Sequence, residues 1–385
     1  MRVDIRRVRL GNVCEIKAGG TPSRSVSEYW ESGTIPWVKI GDFSGKYLSK
    51  TTEFITQAGL EGSSAKLFPK GTILYSIFAT LGAVSILGID AATNQAIAGL
   101  RIVSEELDRE YLYYYLLSIQ TEVSKMGRGV AQNNINLGLL KNIVIPLPSL
   151  DEQKRIAAKL DLLCEIISKR EGQLAKLKQL AKSRFVEMFG DAIWPKTTIG
   201  ELSEFLTSGS RGWAKYYSDE GELFITIKNV KNTRISVDDV QYIVPPQGAE
   251  ADRTRVKEGD LLISITADLG RTGVVTDEIA SRGAYINQHL TRISLKRNVV
   301  DPLYAAFYIE SPEGKGQIER RNQSAVKAGL NFESIRSIQL PLPPIGEQRK
   351  FAAFVAELDK SEFAIRKRLE KARLLYRAKL QEFFG

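Results

Sequence analysis

The sequence predicts an α+β protein made by internal duplication, in which two similar globular domains are separated by two long antiparallel helices. The helices are expected to form a coiled coil, and a pseudo-twofold symmetry is expected to relate the halves. Three observations predict this architecture. The 385 residues exceed the roughly 250–300 at which a single core stops growing. The two halves share strings of sequence in the same order, and each half ends in a long heptad pattern.

The repeat consists of matching strings that occur in the same order in both halves. A glycine, a serine and a Leu-Gly pair keep their places within the longest string, and small changes in spacing indicate loop insertions rather than a different fold. The two halves are therefore expected to share one architecture. The matching strings are KGTILYSIFATLGAVSIL (70–87) with EGDLLISITADLGRTGVV (258–275), the Asn-Gln pairs 94–95 with 287–288, and IVIPLPSLDEQKRIAAKLD (143–161) with IQLPLPPIGEQRKFAAFVA (338–356).

The first part of each half has the pattern of strands joined by turns. Segments such as ILYSIF and LLISIT are rich in β-branched and aromatic residues, and glycine-rich breaks bound them. Helical stretches around 112–119 and 303–309 interrupt the strands, so each domain is expected to be α+β. The pattern does not order the strands. The expected segments are 1–147 and 191–342 for the two globular domains, and 148–190 and 343–385 for the two helical regions.

After each proline-rich string, apolar residues recur at alternating spacings of four and three, which is the heptad pattern of a coiled coil. A helix of about 38 residues is about 57 Å long at 1.5 Å per residue, which suits a spacer. The interpretation left open is that the helices fold back onto the domains. The expected seam positions are Ile156, Leu160, Leu163, Ile167, Arg170, Leu174, Leu177, Ala181, Arg184 and Met188, and then Phe351, Val355, Leu358, Glu362, Ile365, Leu369, Ala372, Tyr376, Lys379 and Phe383.

Composition is that of a globular protein, since 43% of the residues are hydrophobic and 26% are charged. The formal net charge is +9, but most of the excess lies in the two helical regions, so net charge favours a nucleic-acid partner only weakly. The N-terminal string MRVDIRRVRL lacks the apolar stretch of a signal peptide, and no window has the apolar length of a membrane span. We therefore expect a cytoplasmic protein. Cys14 and Cys164 are too isolated for a disulfide framework or a zinc site.

Several strings together resemble the specificity (S) subunits of type I restriction-modification systems. They are GGTPSRSVSEYWESGTIPWVKIGD (19–42), the Asn-Gln pair, and the twice-repeated PLP-x-x-x-EQ-[KR] string that leads into a helix. The resemblance covers the whole chain. It departs in the second half, where the first string becomes TSGSRGWAK (207–215) and IPWVKIGD becomes LFITIKNV (223–230). The two domains are therefore expected to read different sequences.

The resemblance implies a non-catalytic subunit that recognises double-stranded DNA. In that family each of two target recognition domains reads one half of a bipartite, asymmetric target. The helices set the gap between the halves and dock two modification subunits, which are adenine methyltransferases. Restriction and translocase subunits join through the complex, and both methylation and ATP-dependent cleavage belong to those partners. The resemblance implies no cofactor for this chain.

Side chains that present paired donors and acceptors to base edges are the candidates for DNA contact, chiefly Arg, Lys, Asn, Gln, Ser and Thr on loops or helix tips. Clusters of such residues occur at matching positions of the repeat. The first-domain candidates are Lys17, Thr21, Ser23, Arg24, Arg128, Gln132, Asn133 and Asn134, and the second-domain candidates are Ser208, Ser210, Arg211, Lys215, Arg320, Arg321, Asn322, Gln323 and Lys327.

The starts of the two helical regions are the candidates for helix pairing and for contact with partner subunits. Each carries the Glu-Gln pair of the repeated string, followed by the first apolar residues of the heptads. These candidates are Glu152, Gln153, Ile156, Leu160, Leu163, Glu347, Gln348, Phe351, Val355 and Leu358.

Catalytic and metal sites are not expected. Asp151 with Glu152 and Lys154 superficially matches a nuclease pattern, but its copy carries Gly346 and lies at the start of a helix. The single histidine, His289, has no evident nucleophile beside it and cannot alone build a metal site. For the Asn-Gln pairs we favour a structural role, and for the tryptophans core packing.

Two other functions remain open. One is a non-enzymatic scaffold that joins two protein partners without direct DNA readout. The other is a self-contained modification enzyme or nuclease of unfamiliar type. Salt-sensitive preference for a duplex would separate DNA recognition from the scaffold, because phosphate contacts weaken as salt rises.

Overall fold

The computed structural model describes residues 5–127, 134–190, 193–322 and 329–385. The chain divides into two compact units. The first unit comprises Met1–Glu171 and Arg366–Gly385, and the second comprises Gly172–Ile365. Each unit therefore combines one globular part with portions of both helical regions, so the compact units cut across the segments expected from sequence.

Short strands and short helices make up the first globular part, and a long helix follows it. Its strands are β1 (Arg7–Arg9), β2 (Cys14–Ala18), β3 (Ile35–Val38), β4 (Tyr47–Leu48), β5 (Glu53–Ile55), β6 (Leu67–Phe68), β7 (Ile73–Ser76), β8 (Val84–Leu87), β9 (Ala91–Thr93), β10 (Ile97–Ile102) and β11 (Val144–Pro146). Its helices are α1 (Leu10–Val13), α2 (Gln57–Glu61), α3 (Arg109–Ser118), α4 (Gln120–Gly127) and α5 (Leu137–Asn142), followed by α6 (Leu150–Phe189).

The strands form a five-stranded sheet of order β2-β10-β7-β8-β4, a four-stranded sheet of order β5-β3-β9-β6 and the pair β1-β11. All residues of β7 and β8 are buried, as expected of continuous apolar runs that are covered on both faces. Asp108 caps the start of α3 by accepting a hydrogen bond from the backbone N–H of Tyr111 at 2.9 Å. Tyr111 and Leu112 of that helix lie in one core with Tyr75 of the sheet.

The second globular part repeats this plan. Its central sheet has the order β13-β22-β19-β20, which corresponds to β2-β10-β7-β8 and confirms the internal duplication. A second sheet has the order β14-β18-β15-β21, and β12-β23 and β16-β17 are pairs.

The strands of the second globular part are β12 (Lys196–Thr198), β13 (Ser203–Ser208), β14 (Tyr217–Ser218), β15 (Glu222–Ile225), β16 (Val230–Lys231), β17 (Arg234–Ile235), β18 (Gln241–Ile243), β19 (Leu261–Ser264), β20 (Thr272–Val274), β21 (Ala284–Ile286), β22 (Leu290–Leu295) and β23 (Gln339–Pro341). The helices are α7 (Ile199–Leu202), α8 (Ala249–Thr254), α9 (Asp277–Ser281), α10 (Pro302–Glu310), α11 (Pro312–Arg321) and α12 (Phe332–Arg336), followed by α13 (Ile345–Phe384).

The two long helices, α6 and α13, each contain 40 residues, and every expected seam position is buried or half-buried. In the first unit, the Lys159 ammonium lies 5.9 Å from the Phe383 ring, and Glu171 pairs with Arg373 at 2.6 Å. Residue numbers rise along one helix as they fall along the other. The segments are therefore antiparallel, as the heptads predict.

The second unit shows the same pairing. The Phe185 and Phe351 rings lie 5.3 Å apart, and the Arg184 guanidinium is 5.9 Å from the Phe354 ring. Phe185 also lies 5.7 Å from Tyr304 of α10, so the helix seam continues into the core of the globular part.

The ends of the long helices also complete the core of the first unit. Ile156 and Leu160 of α6 are buried in the same core as α3, and the Phe384 ring of α13 lies 5.3 Å from Tyr111 and 5.7 Å from Tyr115. From the sequence, pairing of the two long helices with each other and packing of the helices onto the globular domains were alternative interpretations. In each unit the helix segments do both.

Candidate nucleic-acid interface

Loops from four places in the first globular part meet at one end of its five-stranded sheet. We call this meeting point the first junction. It contains the glycine loop after β2, the turn after β7, the loop between β9 and β10, and the segment before α5, which are residues 19–25, 77–82, 94–96 and 134–136. All four carry residues that the sequence marks as candidates or as repeats.

Backbone hydrogen bonds hold the first junction together. The N–H of Gly19 donates to the carbonyl of Ile97 at 2.9 Å, and the N–H of Ile77 donates to the carbonyl of Ala96 at 2.9 Å. The N–H of Ile135 then donates to the carbonyl of Ile77 at 3.1 Å. The loops therefore form one structure, with side chains presented from a fixed backbone.

The second globular part has the same arrangement, which we call the second junction. The N–H of Gly209 donates to Leu290 at 3.0 Å, the N–H of Ile265 to His289 at 3.0 Å, and the N–H of Leu330 to Ile265 at 3.0 Å. Each bond corresponds to one in the first junction. The second junction contains residues 208–215, 265–270, 287–289 and 329–331.

The first glycine of each junction is required by close backbone approach. A Cβ atom at Gly19 would lie 2.4 Å from the carbonyl oxygen of Asn94, and one at Gly209 would lie 2.1 Å from that of Asn287. These distances are far below van der Waals contact, and both of these oxygens are backbone atoms. Any other residue would push the glycine loop away from the Asn-Gln loop.

The turn of each junction has a left-handed alanine and a buried serine. Ala79 and Ala267 both have φ of 58°, a conformation that residues other than glycine rarely adopt. The hydroxyls of Ser76 and Ser264 accept a hydrogen bond from the backbone N–H seven residues on, at 2.7 and 2.8 Å. Strain of this kind persists where the surroundings fix it, and it is concentrated at binding sites.

Arg24 is the best-positioned cation of the first junction. Its guanidinium lies 3.6 Å from the centre of the Trp30 ring, it pairs with Glu53, and its side chain is 55% exposed. A hydrogen bond from Lys39 and the Arg24 guanidinium hold the pKa of Glu53 below its usual range, against the effect of partial burial. Stacking on an indole fixes the plane of a guanidinium while its edge can still donate.

The other candidates of this glycine loop have smaller roles within the chain. Thr21 donates a hydrogen bond to the Gln95 side chain, which ties the glycine loop to the Asn-Gln loop. Lys17 is half-exposed on β2 and pairs with Glu15. Ser23 is exposed. Thr21 therefore supports the junction, whereas Lys17 and Ser23 remain available at its surface.

The string GRGVAQNN falls largely outside the described residues. Arg128, Gln132 and Asn133 lie outside them, and their expected role stays a prediction. Asn134 is half-buried, and its backbone forms an antiparallel bridge with Phe78. That bridge places Asn134 in the first junction.

In the second junction, Arg211 and Lys215 are exposed and line an open hollow of about 420 Å³ beside residues 246–251. The Lys215 ammonium lies 5.0 Å from the Tyr216 ring. Ser208 is half-buried, and its carbonyl accepts a hydrogen bond from Arg253 at 2.9 Å. The two exposed cations are thus the available donors of this glycine loop.

Ser210 is a correction to the sequence prediction. It is 1% exposed, and its hydroxyl shares a hydrogen bond with Thr254 at 3.2 Å. Its backbone N–H donates to Ile286, and its carbonyl accepts from Gln288. The side chain is used to seat the glycine loop on the sheet, so it does not reach a ligand.

Arg321 is a second correction. Its guanidinium is half-buried and donates to the carbonyl of Gln317 at 3.0 Å and to the hydroxyl and carbonyl of Ser337 at 2.8 Å each. It therefore joins α11 to α12. Arg320 is exposed, and the Asn322 side chain accepts a hydrogen bond from Gly329 at 3.2 Å. Gln323 and Lys327 lie outside the described residues, so their role also stays a prediction.

Two junction residues were not among the candidates. His289 lies between the Thr266 hydroxyl, 2.7 Å from Nδ1, and the Gln288 amide, 3.1 Å from Nε2. Phe78 stands on the turn with 40% of its surface exposed. Phe78 ends the string ILYSIF, which the sequence predicts as part of a strand. His289 directly follows a repeated Asn-Gln pair, and that position could have identified it.

The repeated Glu-Gln pairs have internal roles. The Gln153 side chain is fully buried, accepts a hydrogen bond from the N–H of Asp108 at 2.8 Å, and donates to the carbonyls of Glu106 and Pro148 at 2.8 and 2.9 Å. It thus ties the start of α6 to the cap of α3. A contact of this side chain with a partner subunit is excluded by its burial.

The second copy makes the same three bonds. Gln348 is fully buried, accepts from the N–H of Asp301 at 2.9 Å, and donates to the carbonyls of Val299 and Pro343 at 3.2 and 2.7 Å. Glu152 and Glu347, by contrast, are half-exposed and pair with cations one turn further along their own helices.

The remaining helix candidates divide by burial. Ile156, Leu160, Phe351 and Val355 are buried within their units, whereas Leu163 and Leu358 are half-buried in the helix seam.

Metal-binding clusters and membrane-spanning helices are absent from the described parts of the chain. Among those residues, His, Cys, Asp and Glu side chains form no group of three or more that could hold a metal ion. Across the same ranges, none of the helices combines the length and hydrophobicity needed to cross a membrane. Cys14 is buried, Cys164 is half-buried, and both are free thiols. Trp37 and Trp213 are buried, which confirms core packing for these two.

Comparison with known proteins identifies relatives across both halves. Residues 2–179 and 194–373 match the family model described as type I restriction modification DNA specificity domain. The specificity subunit of the Methanocaldococcus jannaschii enzyme MjaIX is 31% identical over 193 residues, which are 49% of this chain and 44% of that protein. The specificity subunit of the Escherichia coli enzyme EcoprrI is 22% identical over 383 residues, 93% of this chain and 88% of that protein.

The match thus spans less than half of the M. jannaschii relative and 65% of the E. coli EcoBI specificity subunit. Among solved structures, an S subunit from M. genitalium covers 100% of this chain and 97% of its own, with a TM-score of 0.59 at 16% identity. A chain from a study of complex assembly in the type I system covers 98% and 97%, with a TM-score of 0.61 at 20% identity. At these identities the structures show a shared fold.

The matched ranges include both junctions, both copies of the PLP string and most of the two long helices. Since the family model covers both halves of the duplication, the chain belongs to the family of proteins with the type I restriction modification DNA specificity domain.

Proposed function

We propose that the chain is the sequence-specific DNA-recognition subunit of a type I restriction-modification complex. The observation that carries the proposal is the duplicated junction. Both copies have the same backbone hydrogen bonds but present different side chains from them. Such a pair of equivalent platforms with different surfaces suits the reading of two different DNA half-sites.

The chemistry of the first junction supports DNA contact. A guanidinium stacked on an aromatic ring is held flat, and its N–H groups then suit the paired acceptors of guanine or the oxygens of phosphate. Arg24 is held in this way on Trp30 and keeps more than half of its side-chain surface exposed. Contact with DNA would then compete with its ion pair to Glu53.

The second junction has a different set of donors. Arg211 and Lys215 lie in the glycine loop that corresponds to the loop of Arg24. Gln288 contacts His289, whereas its counterpart Gln95 contacts Thr21. We therefore infer a bipartite, asymmetric target in which each globular part reads one half. The predicted contacts of Arg128, Gln132, Asn133, Gln323 and Lys327 belong to this same proposal.

The long helices are proposed to set the gap between the half-sites and to dock two modification subunits that methylate adenine. Large apolar side chains that are exposed on these helices are the proposed docking contacts, because a bound subunit would cover them. They are Leu162, Leu374 and Leu375 in the first unit and Leu180, Val186 and Phe363 in the second. Each unit would thereby take one modification subunit.

In this proposal the chain itself is non-catalytic, takes no cofactor and acts in the cytoplasm. Methylation and ATP-dependent cleavage would reside in the modification and restriction subunits, the latter including the translocase. The S subunits of the relatives are named for specificity rather than for catalysis, which supports this division.

The test is to express the chain with its modification subunits in a host without other adenine methylation and to map methylated adenines in the genome. We expect one bipartite motif. Replacing residues 191–342 with the corresponding part of another family member should change one half of the motif and leave the other half unchanged. Change in both halves would contradict independent reading.

Single substitutions then test the junctions. Arg24→Ala should weaken binding of the target duplex and alter preference in one half-site, and Arg211→Ala should do so in the other, because each would lose donors to the DNA. Lys70→Ala and Arg282→Ala are matched controls, since these exposed cations lie near the opposite ends of the strands that lead to the junctions. Binding should also fall log-linearly with salt. A complex without salt-sensitive preference for any duplex would support the scaffold instead.

A further inference from the structure

In each unit, a basic side chain of the globular part pairs with an acidic side chain of a long helix. In the first unit, Lys46 lies directly before β4 and contacts Asp161 of α6 and Glu110 of α3, the latter at 2.7 Å. In the second unit, Arg234 of β17 contacts Asp359 of α13. We call these the first and second clamps.

The first clamp is partly shielded from water. The side chains of Lys46 and Glu110 are 17% and 20% exposed, and the Tyr114 hydroxyl also donates to Asp161 at 2.5 Å. Burial alone would lower the pKa of Lys46, but the hydrogen bonds to Asp161 and Glu110 outweigh it and raise that pKa. The same contact, helped by Tyr47, lowers the pKa of Glu110 although burial opposes it. Both charges are therefore retained.

The second clamp is a two-pronged contact. The Nη2 atom of Arg234 donates to both carboxylate oxygens of Asp359, at 2.9 and 2.8 Å, and its Nε lies 3.3 Å from one of them. A paired contact of this geometry restricts rotation as well as distance. It therefore fixes the orientation of the hairpin relative to α13, whereas a single contact from a lysine ammonium would allow more rotation.

The hairpin that presents Arg234 is itself held in place. Asn232 and Thr233 form its two-residue turn with φ of 53° and 61°, and a β-branched residue in that region is strained. Glu310 at the end of α10 accepts hydrogen bonds from the N–H groups of Thr233 and Thr272, at 3.1 and 2.9 Å. The Arg234 guanidinium also donates to the Thr233 hydroxyl at 3.0 Å.

The clamps occupy the same place in the duplicated fold, yet they are made from different residues. In the first unit β4 pairs in parallel with β8, and in the second Thr233 forms a parallel bridge with Gly273 of β20. The acids are not equivalent in the repeat, because the matched helix strings align Asp161 with Ala356 rather than with Asp359. An ion pair between the globular part and a long helix therefore occurs in both units, but it is formed by residues at different positions of the repeat.

We propose that the two clamps fix the angle at which each globular part is held on its long helix, and so make the complex strict for one gap length. This inference rests on the proposed function. The clamp residues are positioning residues, since they act on the junctions through the orientation of the globular parts. They are Lys46, Asp161, Arg234 and Asp359.

The geometry of DNA explains why orientation matters. Each added base pair moves a half-site by about 3.4 Å and also rotates it by about 35° around the helix axis, because a turn holds about 10–10.5 base pairs. A recognition domain that is held rigidly cannot follow the rotation and loses its base contacts. A recognition domain that can pivot on its long helix is able to follow the rotation of the half-site. Loss of a clamp therefore broadens the range of accepted gap lengths.

The experiment uses the full chain in complex with its modification subunits. Duplexes carry the wild-type half-sites with the natural gap or with a gap longer or shorter by one base pair, and the dissociation constant is measured for each. The quantity of interest is the ratio of the constants for the altered and natural gaps. For Arg234→Ala we expect this ratio to fall by about tenfold, a change of about 1.4 kcal/mol. Lys231→Ala, an exposed cation on the same hairpin, is the matched control and should leave the ratio unchanged.

Two further variants of the second clamp separate positioning from folding. The charge exchange Arg234→Asp with Asp359→Arg should restore strictness, and Arg234→Lys, which keeps the charge but loses the two-pronged contact, should give an intermediate ratio. Lys46→Ala should broaden gap tolerance in the same way. A ratio that stays within about twofold of wild type in Arg234→Lys and Lys46→Ala would overturn the inference. A wild-type complex without any gap preference would instead refute the proposed function.

Discussion

Replacement of Gln153 by alanine should destabilise the first unit strongly although it removes no charge. The side chain is fully buried and makes three hydrogen bonds, to the N–H of Asp108 and to the carbonyls of Glu106 and Pro148. Alanine leaves all three backbone groups without this partner. The substitution therefore loosens the start of α6 and the cap of α3 together.

The magnitude follows from the number of bonds. A hydrogen bond contributes about 0.5–1.5 kcal/mol net, and a buried group left without a partner costs about 1–3 kcal/mol, so three lost bonds predict about 3 kcal/mol. For a domain of about 150–250 residues, one kcal/mol shifts the melting temperature by about 2–4 °C, and the expected fall is about 6–12 °C. Gln348→Ala should lower the stability of the second unit by a similar amount, since its three bonds are equivalent.

Differential scanning calorimetry of the full chain measures the effect, and Lys154→Ala is the control because that neighbouring side chain is exposed. If the two units unfold in separate transitions, each glutamine variant should lower one of them. A fall in melting temperature of less than about 2 °C in both variants would refute the reasoning. Three buried backbone groups left without a hydrogen-bond partner should reduce stability by more than that. A fall as large in Lys154→Ala would show that the helix start, rather than the buried amide, is the sensitive element.

Three further outcomes are expected. Gly19→Ala should abolish reading of one half-site in methylation mapping while the other is retained, since its Cβ would lie 2.4 Å from a backbone oxygen. Arg292→Met should destabilise the second unit by about 3–5 kcal/mol in denaturant unfolding, because it leaves the buried carboxylate of Asp260 unpaired; loss below about 1 kcal/mol would contradict this. The pKa of Glu53 in the folded state is lowered, first by Lys39, so its ion pairs stabilise the protein above the ordinary carboxylate pKa and are lost as pH falls through the lowered value. Wild type should therefore lose more stability than Glu53→Gln on acidification below about pH 5, and equal losses would exclude Glu53 as a source.

The duplication and the helix seam could be predicted from sequence because each rests on a regular pattern. A heptad pattern places an apolar residue on the same helix face about once per turn, so one polar residue at a seam position does not change the prediction of a coiled coil. All of the expected seam positions are at least half-buried, including the charged Arg184 and Lys379. The strand order could not be predicted, because pairing in these sheets joins residues far apart in the chain.

The loops that carry the candidate residues could be named from the sequence, but the contacts of each side chain could not. The glycine loops do meet the Asn-Gln loops, but Ser210 and Arg321 face inward and bind backbone or neighbouring side chains. A polar side chain in a loop can bind DNA or can form hydrogen bonds within the loop, and the sequence looks the same in both cases. Gln153 shows the same ambiguity at a helix start.

The two copies also differ where their strings diverge. In the first sheet, a Cβ at Gly99 would lie 2.4 Å from the Phe68 ring, so the glycine makes room for an aromatic side chain. At the same sheet position the second copy has Arg292, which is 4% exposed and pairs with Asp260. An apolar contact and a buried ion pair thus fill equivalent space, which is why identity between the halves fades there while the backbone is kept.

A segment that follows the second globular part in the sequence belongs to the first unit. Residues 366–385 are part of that unit, and the Phe384 ring packs against Tyr111 and Tyr115. The N-terminal half of the protein therefore cannot finish folding during synthesis until the entire second half has been made. During this interval its unfilled aromatic surface is open to chaperones or to another nascent copy. Synthesis of α13 therefore couples completion of the first globular part to that of the second.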